Sequence, residues 1–399
     1  MAYINFKEEK VKNKKQLKKR KDNNENLYNY ILKHKDSLKG YFADKTYSYN
    51  KVVDKFIGKK GILDEESFYI IEYEDIICSK FIGCTFNNIK FKDCRFIGCT
   101  FEECNFSGGG VVFENCIFIK EDSETMPSLN RKDNLGCSFY KCDMYCKFLN
   151  CDISFSIFEE CKIENTNFEL TFAQNTIALN SEFDKVEVSD CNFCGFKTIE
   201  CYLVDFSFND NDKTKFDEKT FFDKINPRIK NKQEYEGIYM TYQTLADKFK
   251  ENTLNNNFGE YYYLAQCIQS KCIGILPKLV YKLNWFTCGF GERPWNCIVS
   301  SLIIILVFSI IYLFSGLDLE GEIIKYSIYN MDTWSIKKFI QDFNESFHIS
   351  VGMFGGIGVD NAKPIQTTYI FANIEILIGI VMMGIGIGTL TRKIVRLDI

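Results

Sequence analysis

The feature that most constrains the fold of this chain is a phenylalanine that recurs every five residues. Within FIGCTFNNIKFKDCRFIGCTFEECNFS (residues 81–107), phenylalanine stands at positions 81, 86, 91, 96, 101 and 106. An α-helix repeats its buried face about every 3.6 residues and a strand about every 2, so this period belongs to neither. A chain that turns a corner every five residues returns to the same side after four corners, which predicts a square coil.

A small residue stands two positions before most of these phenylalanines, at Cys84, Cys94, Cys99 and Cys104. Two of every five side chains are therefore expected inside, and stacked coils would form a β-solenoid. The pattern resembles the pentapeptide-repeat family, whose usual repeat is a small residue, a spacer and a central Leu or Phe. The resemblance implies a right-handed quadrilateral β-helix.

The number of repeat centres predicts the size of the solenoid. Seven centres run from Ile76 to Phe106, and the interruption at Gly108–Gly110 is followed by Phe113, Phe118, Phe139 and Met144. The segment from Glu121 to Leu135 is expected to loop out. After a one-residue slip, thirteen centres run from Phe148 to Phe208, with Ala173, Ala178 and Thr198 as weak members. These centres predict about six coils and a height of roughly 30 Å.

Of the eighteen cysteines, the twelve that follow the repeat are best interpreted as core residues. Buried free thiols are the favoured interpretation because Cys packs as a small apolar group, with metal or redox chemistry as the alternative. The first twenty residues are Lys-rich and hold no apolar stretch, so no signal peptide is expected and this part is assigned to a reducing cytoplasm. Twelve of the cysteines occupy the small inward position: 84, 94, 99, 104, 116, 137, 142, 146, 151, 161, 191 and 201.

Two apolar stretches near the C-terminus predict membrane spans. Cys297–Leu317 has no charged residue, and Tyr369–Leu390 has only Glu375. Both stretches reach the length of about 20 residues that a bilayer requires. Because positive charge stays inside, the flanking basic residues place both termini in the cytoplasm. These are Lys278, Lys282, Arg293, Arg392, Lys393 and Arg396.

The segment before the second span resembles a selectivity filter. Residues 343–360 read FNESFHISVGMFGGIGVD, similar to the pore helix and T-V-G-Y-G-D filter of two-span channels of the potassium-channel superfamily. Aligning the glycines places Phe354, Gly355, Gly356, Ile357 and Gly358 in the filter. The resemblance implies that backbone carbonyls of four extended loops replace the hydration shell of a cation. Asp360 would then concentrate cations at the pore mouth.

The departures from the family pattern bear on selectivity. Phe354 replaces the filter threonine and removes a hydroxyl ring, and Gly355 loosens the backbone where the family has valine. A cation pore is therefore expected, with permeating K⁺ and with Na⁺ left open. A glycine-rich re-entrant turn that does not conduct is the alternative.

Residues of the second span strengthen the resemblance. Many bacterial two-span channels carry an early Glu and a lower Gly in the inner helix, which correspond here to Glu375 and Gly379. Glu375 is expected to support the filter from behind, with an interfacial position as the alternative. Gly379 and Gly384 are candidate hinges. The segment Phe286–Cys297, FTCGFGERPWNC, resembles the juxtamembrane part of proteins that fuse pentapeptide repeats to such a hairpin.

The sequence predicts four regions. Residues 1–70 are Lys-rich and mostly helical or flexible, and 71–210 form the β-helix. Residues 211–293 form a connector with two amphipathic helices, which either only pack or also transmit movement to the spans. Residues 294–399 form the channel domain, with spans at about 295–317 and 369–391 and the pore helix and filter at about 342–360. The basic run at 7–21 is either a solvated face or a binding segment for anionic lipid or nucleic acid.

These expectations combine into a homotetrameric cation channel of the bacterial inner membrane, because one hairpin cannot enclose a pore. The expected partners are further copies of the chain, the lipid bilayer, and a cytoplasmic protein or ligand acting on the repeats. A membrane-anchored scaffold without conduction is the alternative function, and a soluble DNA-mimicking role is disfavoured. No enzymatic activity, catalytic residue, cofactor, bound structural metal or nucleic-acid partner is expected.

Overall fold

The computed structural model describes residues 4–34, 44–60, 68–118, 136–319, 321–327, 335–358 and 362–395. The chain divides into two compact units, Met1–Cys272 and Ile273–Ile399, called here the first and second units.

The first unit contains the helix α1 (Phe6–Lys33), a run of short strands, and the helices α2 (Lys232–Glu251) and α3 (Asn255–Cys272). The strands are β1 (Lys51–Val53), β2 (Phe56–Gly58), β3 (Tyr69–Glu72), β4 (Asp75–Ile77), β5 (Lys80–Ile82), β6 (Thr85–Asn87), β7 (Ile89–Lys92), β8 (Arg95–Ile97), β9 (Thr100–Glu102), β10 (Asn105–Glu114), β11 (Ser138–Tyr140), β12 (Asp143–Leu149), β13 (Ile157–Glu159), β14 (Lys162–Glu164), β15 (Asn167–Glu169), β16 (Ile177–Leu179), β17 (Glu182–Asp184), β18 (Glu187–Ser189), β19 (Lys197–Ile199), β20 (Tyr202–Val204), β21 (Ser207–Phe208) and β22 (Phe221–Phe222).

These strands form the faces of a β-solenoid in which every pair is parallel. The first face is the sheet β1-β5-β9-β11-β13-β16-β19-β22. The next two faces share β10 and β12 and run through β2, β6, β14, β17, β20 and through β3, β7, β15, β18, β21. The pair β4-β8 begins the fourth face, which single bridges continue from Ile117 to Lys215.

The solenoid has about seven turns, one more than the sequence predicted. It begins at Lys51 and ends at Phe222, beyond the predicted limits of 71 and 210. The additional first coil lacks the Phe and Cys pattern, but Tyr47, Val52 and Ile57 pack against the same core. The predicted loop Glu121–Leu135 lies outside the described residues.

Phenylalanine rings stack along the core from coil to coil. Phe101 stacks on Phe81 and on Phe139, with ring centroids 5.0 and 4.8 Å apart. The twelve cysteines predicted at the small inward position are all buried and free. Ten of the twelve thiols face backbone carbonyls of the preceding coil, as Cys99 Sγ does at 3.1 Å from the Ile76 oxygen. The interpretation as core thiols is confirmed.

The basic helix α1 lies along the first face of the solenoid. Leu17 packs on the outward-facing Ile157, Ile177 and Ile199, and at the opposite end of the helix Ile31 is buried with Ile77 and Ile97. Because Phe6 reaches Phe221, α1 spans most of the coils. The predicted helical N-terminal region is therefore a strap on the solenoid.

Polar contacts accompany this apolar docking. Lys10 and Lys14 pair with Asp223 (3.0 Å) and Glu200 (2.6 Å), and Arg20 donates to the Asn175 carbonyl at 2.5 Å. Burial under α1 lowers the pKa of Lys197 to about 8. Much of the predicted solvated or anion-binding run is thus engaged within the first unit.

Helices α2 and α3 form the predicted hairpin and cover the last coil. Phe249 of α2 stacks on Tyr261 of α3, with ring centroids 4.8 Å apart. The Tyr261 hydroxyl exchanges 2.8 Å hydrogen bonds with the amide and carbonyl of Phe222, and the Ile225 amide donates to Tyr242. These contacts satisfy backbone groups that the end of the solenoid would otherwise leave unpaired.

The second unit contains helices and a small antiparallel sheet. Its helices are α4 (Ile275–Cys288), α5 (Pro294–Ser315), α6 (Ile336–Phe354) and α7 (Tyr369–Val395). The sheet is formed by β23 (Leu317–Leu319), β24 (Glu322–Ile324) and β25 (Ala362–Pro364). Helix α6 begins before the predicted position of about 342.

Candidate pore site

Helices α5 and α7 are long and apolar enough to cross a membrane. Their membrane-compatible stretches are Pro294–Ser315, with 22 residues, and Tyr369–Ile394, with 26 residues. At about 1.5 Å per residue each exceeds the hydrocarbon core of about 30 Å. The support for the two predicted spans comes from helix length and composition.

The two helices form an antiparallel hairpin. At one end, β23 pairs with β25, and Thr368 Oγ1 donates to the Gly316 carbonyl at 3.0 Å. At the other end, the buried Glu292 pairs with Arg392 at 3.0 Å. The sheet therefore joins the exit of α5 to the entry of α7, and the basic C-terminal turn of α7 lies beside the start of α5.

Helix α6 runs along α5 from the sheet end toward the middle of the hairpin. The Tyr326 hydroxyl, near the sheet, donates to Asp342 at 2.5 Å. One turn further, Ser346 Oγ donates to the Ser309 carbonyl at 2.6 Å, and Ser350 Oγ donates to the Ile305 carbonyl at 2.9 Å. Residues further along α6 therefore bond to residues earlier in α5, so the two helices are antiparallel.

The C-terminal end of α6 meets α7 at Gly379. A Cβ atom at Gly379 would lie 2.0 Å from the Phe354 carbonyl oxygen, so only glycine fits this backbone contact. Gly379 follows the start of α7 by ten residues, about 15 Å along the helix. Helix α6 thus ends about halfway along the hairpin. Gly384, the second predicted hinge, has no atom within 4 Å of such a Cβ.

The predicted filter residues form a turn that folds back on α6. The amides of Gly355 and Gly356 donate to the Val351 and Met353 carbonyls at 2.9 and 3.0 Å. The next two amides both donate to Gly352, at 3.0 and 3.2 Å. These bonds occupy last-turn carbonyls that have no intrahelical partner, so the segment differs from the extended loop expected from the sequence.

The two alternate glycines of the segment have left-handed backbone conformations. Gly356 and Gly358 have φ of +72° and +75°, in the region that favours glycine. Phe354 is buried, whereas Ile357 between the glycines is 89% exposed. Asp360, the predicted mouth residue, lies outside the described residues.

Glu375 joins all three helices of the site. Its side chain is fully buried, and its two carboxylate oxygens accept hydrogen bonds from Tyr312 of α5 and Ser350 of α6. Ser350 precedes the last residue of α6 by one turn, so the carboxylate lies directly behind the helix end. This buried position of Glu375 differs from the interfacial position that was the alternative from the sequence.

Sequence reasoning missed the partners Tyr312, Ser346 and Ser350 and the small sheet. The spacing of four between the two serines on a predicted helix was a usable signal, because such residues share one face. Tyr312 carried no signal, since its role depends on the packing of α5 against α7. Among the described residues, no group of three or more His, Cys, Asp or Glu could hold a metal ion.

The comparisons with known proteins concern the repeats. Residues 81–122 match the family model described as "Pentapeptide repeats (9 copies)". No curated protein matches the chain.

Solved structures with similarity to the chain include a trypsin-treated variant of QnrB1, a plasmid-mediated fluoroquinolone resistance protein. It is 14% identical, covers 42% of this chain and 91% of its own, and gives a TM-score of 0.19. HetL, a pentapeptide repeat protein involved in heterocyst differentiation regulation from the cyanobacterium Nostoc, is 6% identical. It covers 48% of this chain and 92% of its own, with a TM-score of 0.15. These scores are too low to support an argument about function.

Proposed function

We propose that this pentapeptide-repeat protein, with its two helices long and apolar enough to cross a membrane, is a homotetrameric cation channel of the bacterial inner membrane. The observation that carries the proposal is the end of α6. This helix stops about halfway along the α5–α7 hairpin and continues directly into Gly355–Gly358.

A helix end at that depth has a definite electrostatic consequence. The C-terminus of a helix carries about half a negative elementary charge, which favours a cation. Irregular backbone inside a bilayer is tolerated only where protein or water surrounds it. A ring of identical hairpins supplies both conditions, because cyclic symmetry brings the α6 ends around one axis.

In this pore the filter is formed by Phe354, Gly355, Gly356, Ile357 and Gly358. The filter segment unfolds from its turn on α6 when neighbouring copies surround it, and its carbonyls then face the axis. Glu375 holds the end of α6 against Tyr312 and Ser350. Because no hydroxyl stands at Phe354, the pore conducts K⁺ with weaker discrimination against Na⁺ than a threonine-containing filter.

The flanking charges orient the channel. Lys278, Lys282 and Arg293 precede α5, and Arg392 and Lys393 lie in the last turns of α7. By the positive-inside rule both chain ends face the cytoplasm, together with the repeats. The first unit then provides the surface on which a cytoplasmic ligand or partner acts to gate or localise the channel.

Single-channel recording tests the proposal. The purified full chain is placed in planar bilayers with K⁺ on one side and Na⁺ on the other, as native protein and as Gly356→Asp. Asp tolerates the left-handed backbone better than most residues, so the substitution adds a side chain to the filter with limited strain. Gly274→Asp is the matched control, because a Cβ there meets no atom within 4 Å.

Discrete currents from the native chain and Gly274→Asp, abolished in Gly356→Asp, are the expected result. Unchanged currents in Gly356→Asp would show that ions do not pass this segment. Absence of current from a folded tetramer would contradict conduction and favour an anchored scaffold. The reversal potential measures the selectivity between K⁺ and Na⁺.

A further inference from the structure

Helix α4 of the second unit exposes a continuous apolar face. Large apolar side chains recur along it at spacings of three and four residues, which places them on one side of the helix. A folded protein rarely leaves such a face in water, so another surface must cover it. The exposed residues of this face are Leu276, Leu279, Leu283 and Phe286, flanked by Ile275 and Val280.

The C-terminal end of α4 is fixed to the start of the candidate span α5. Asn296 Nδ2 donates to the Trp285 carbonyl at 3.1 Å, and the rings of Tyr281 and Phe290 lie 5.8 Å apart. The three residues at 289–291 have φ of +53°, +57° and +81°, so the chain turns sharply between the two helices. The apolar face of α4 is therefore held next to the end of α5.

Helix α4 is too short to cross a bilayer. Its 14 residues extend about 21 Å at 1.5 Å per residue, against a hydrocarbon core of about 30 Å. An apolar segment of this length is typical of a buried core helix, a re-entrant segment or a helix at the membrane surface. The exposure of α4 excludes the first, and Lys278 and Lys282 in its middle turns disfavour the second, because charge is costly in hydrocarbon.

The residues around this face favour an anionic lipid surface as its occupant. Lys278 and Lys282 are exposed, and residues 271–291 contain no Asp or Glu. Two copies of α4 packed together would bring these lysines close, which disfavours a second copy as the occupant. Trp285 and Trp295, two of the three tryptophans, are exposed on either side of the turn, and tryptophan is enriched at membrane–water interfaces.

We propose that α4 lies in the headgroup region of the cytoplasmic leaflet and binds anionic phospholipid. Its apolar face enters the boundary between headgroups and acyl chains, while Lys278 and Lys282 pair with lipid phosphates. Each chain then contacts the bilayer through α4 as well as through α5 and α7. The inference rests on the proposed membrane location but not on ion conduction.

Quenching of tryptophan fluorescence by brominated lipid tests this contact in the full chain. The protein is placed in nanodiscs of phosphatidylcholine, with or without phosphatidylglycerol, whose acyl chains carry bromine near the headgroup. The difference between each protein and the same protein with Trp285→Phe isolates the emission of Trp285. Trp295→Phe isolates the emission at the start of α5 in the same way.

Two variants separate the apolar part of the contact from the electrostatic part. Leu283→Glu puts a charge on the apolar face of α4. Met240→Glu is its matched control, because Met240 is an exposed apolar residue of α2 in the first unit. Lys278→Gln combined with Lys282→Gln removes both positive charges. Since all four side chains are exposed, the variants should fold, as circular dichroism would verify.

In the native chain and in Met240→Glu, brominated lipid should lower the Trp285 emission about twofold, and further when phosphatidylglycerol is present. Leu283→Glu should lose most of this quenching, because a carboxylate opposes both the apolar boundary and the anionic headgroups. The double lysine variant should lose the additional quenching that phosphatidylglycerol causes.

Three results would overturn the inference. Quenching of Trp295 without quenching of Trp285 would show that the chain enters the bilayer while α4 does not, and would leave the membrane location intact. Absence of quenching at both tryptophans would contradict the membrane location as well. Equal quenching with and without phosphatidylglycerol would show that α4 does not bind anionic lipid.

Discussion

At the residue scale, most small inward positions of the repeat hold Cys, Thr or Ser, whose side chains can donate a hydrogen bond, although Ile89, Val111 and Val186 occupy three of them. Cys151 Sγ and Thr171 Oγ1 both lie 3.2 Å from a carbonyl oxygen of the preceding coil, on Phe113 and Phe148. Ser181 makes the same contact with the Phe158 carbonyl at 3.3 Å. Alanine would fit the space but would lose this link between coils.

Gly379 is the residue at which a single methyl group should disturb the candidate pore. Gly379→Ala places a Cβ 2.0 Å from the Phe354 oxygen, and two backbones must separate. We expect a loss of about 1–3 kcal/mol, as for other overpacked sites, and a lower thermal midpoint in detergent. Gly386→Ala, where a Cβ meets nothing within 4 Å, is the control. Equal midpoints for the two variants would contradict the close contact.

At the element scale, the sequence predicted those elements whose periodicity is carried by apolar side chains. The Phe column identified the solenoid from its second coil onward, and the stripe at Ile238, Tyr242, Leu245 and Phe249 identified α2. The docking of α1 escaped prediction because its buried seam includes Asn13, Arg20 and Asn24. In the sequence, a helix face with so many polar residues resembles a face exposed to solvent, and only the structure shows that it packs on the solenoid.

In the candidate site, too, some features have a local signal in the sequence and others depend on tertiary packing. Glycine spacing and an isolated carboxylate in an apolar stretch are local signals, so the sequence alone could single out the glycine segment and Glu375. The turn at Gly355–Gly358 and the bonds of Tyr312 and Ser350 depend on which helices pack together. No local pattern in the sequence contains that information.

The strap α1 provides a prediction at this scale. Leu17→Asp puts a charge against Ile157, Ile177 and Ile199, which disfavours docking. We expect amide protection across residues 6–33 to fall at least tenfold in hydrogen exchange, while β13, β16 and β19 remain protected. Val11→Asp, on a side chain that is 55% exposed, should leave protection unchanged. If Leu17→Asp kept full protection, the apolar contact would not hold α1.

For the whole molecule, the reactivity of the thiols indicates whether any coil of the solenoid opens. Fifteen of the eighteen free cysteines are buried and three, Cys194, Cys267 and Cys272, are half-buried. Burial raises the pKa of Cys191 and Cys201 to about 12, so these thiols stay neutral and unreactive at pH 8.

Brief alkylation with iodoacetamide should therefore give at most three adducts in the folded chain and eighteen in guanidinium chloride, as read by intact mass. Cys194→Ser serves as the control and should lower the denatured count by one. Rapid labelling of Cys99 or Cys142 without denaturant would show that the coils open.

The lengths of α1 and the solenoid are coupled. One helical turn advances about 5.4 Å and one coil about 4.8 Å, so successive seam residues such as Leu17, Arg20 and Asn24 meet successive coils. The repeat length of the helix and the repeat length of the solenoid are therefore nearly equal. A chain that gained or lost one coil would need about one turn more or less in α1 to keep both ends anchored, which ties the evolution of the repeat number to the N-terminal helix.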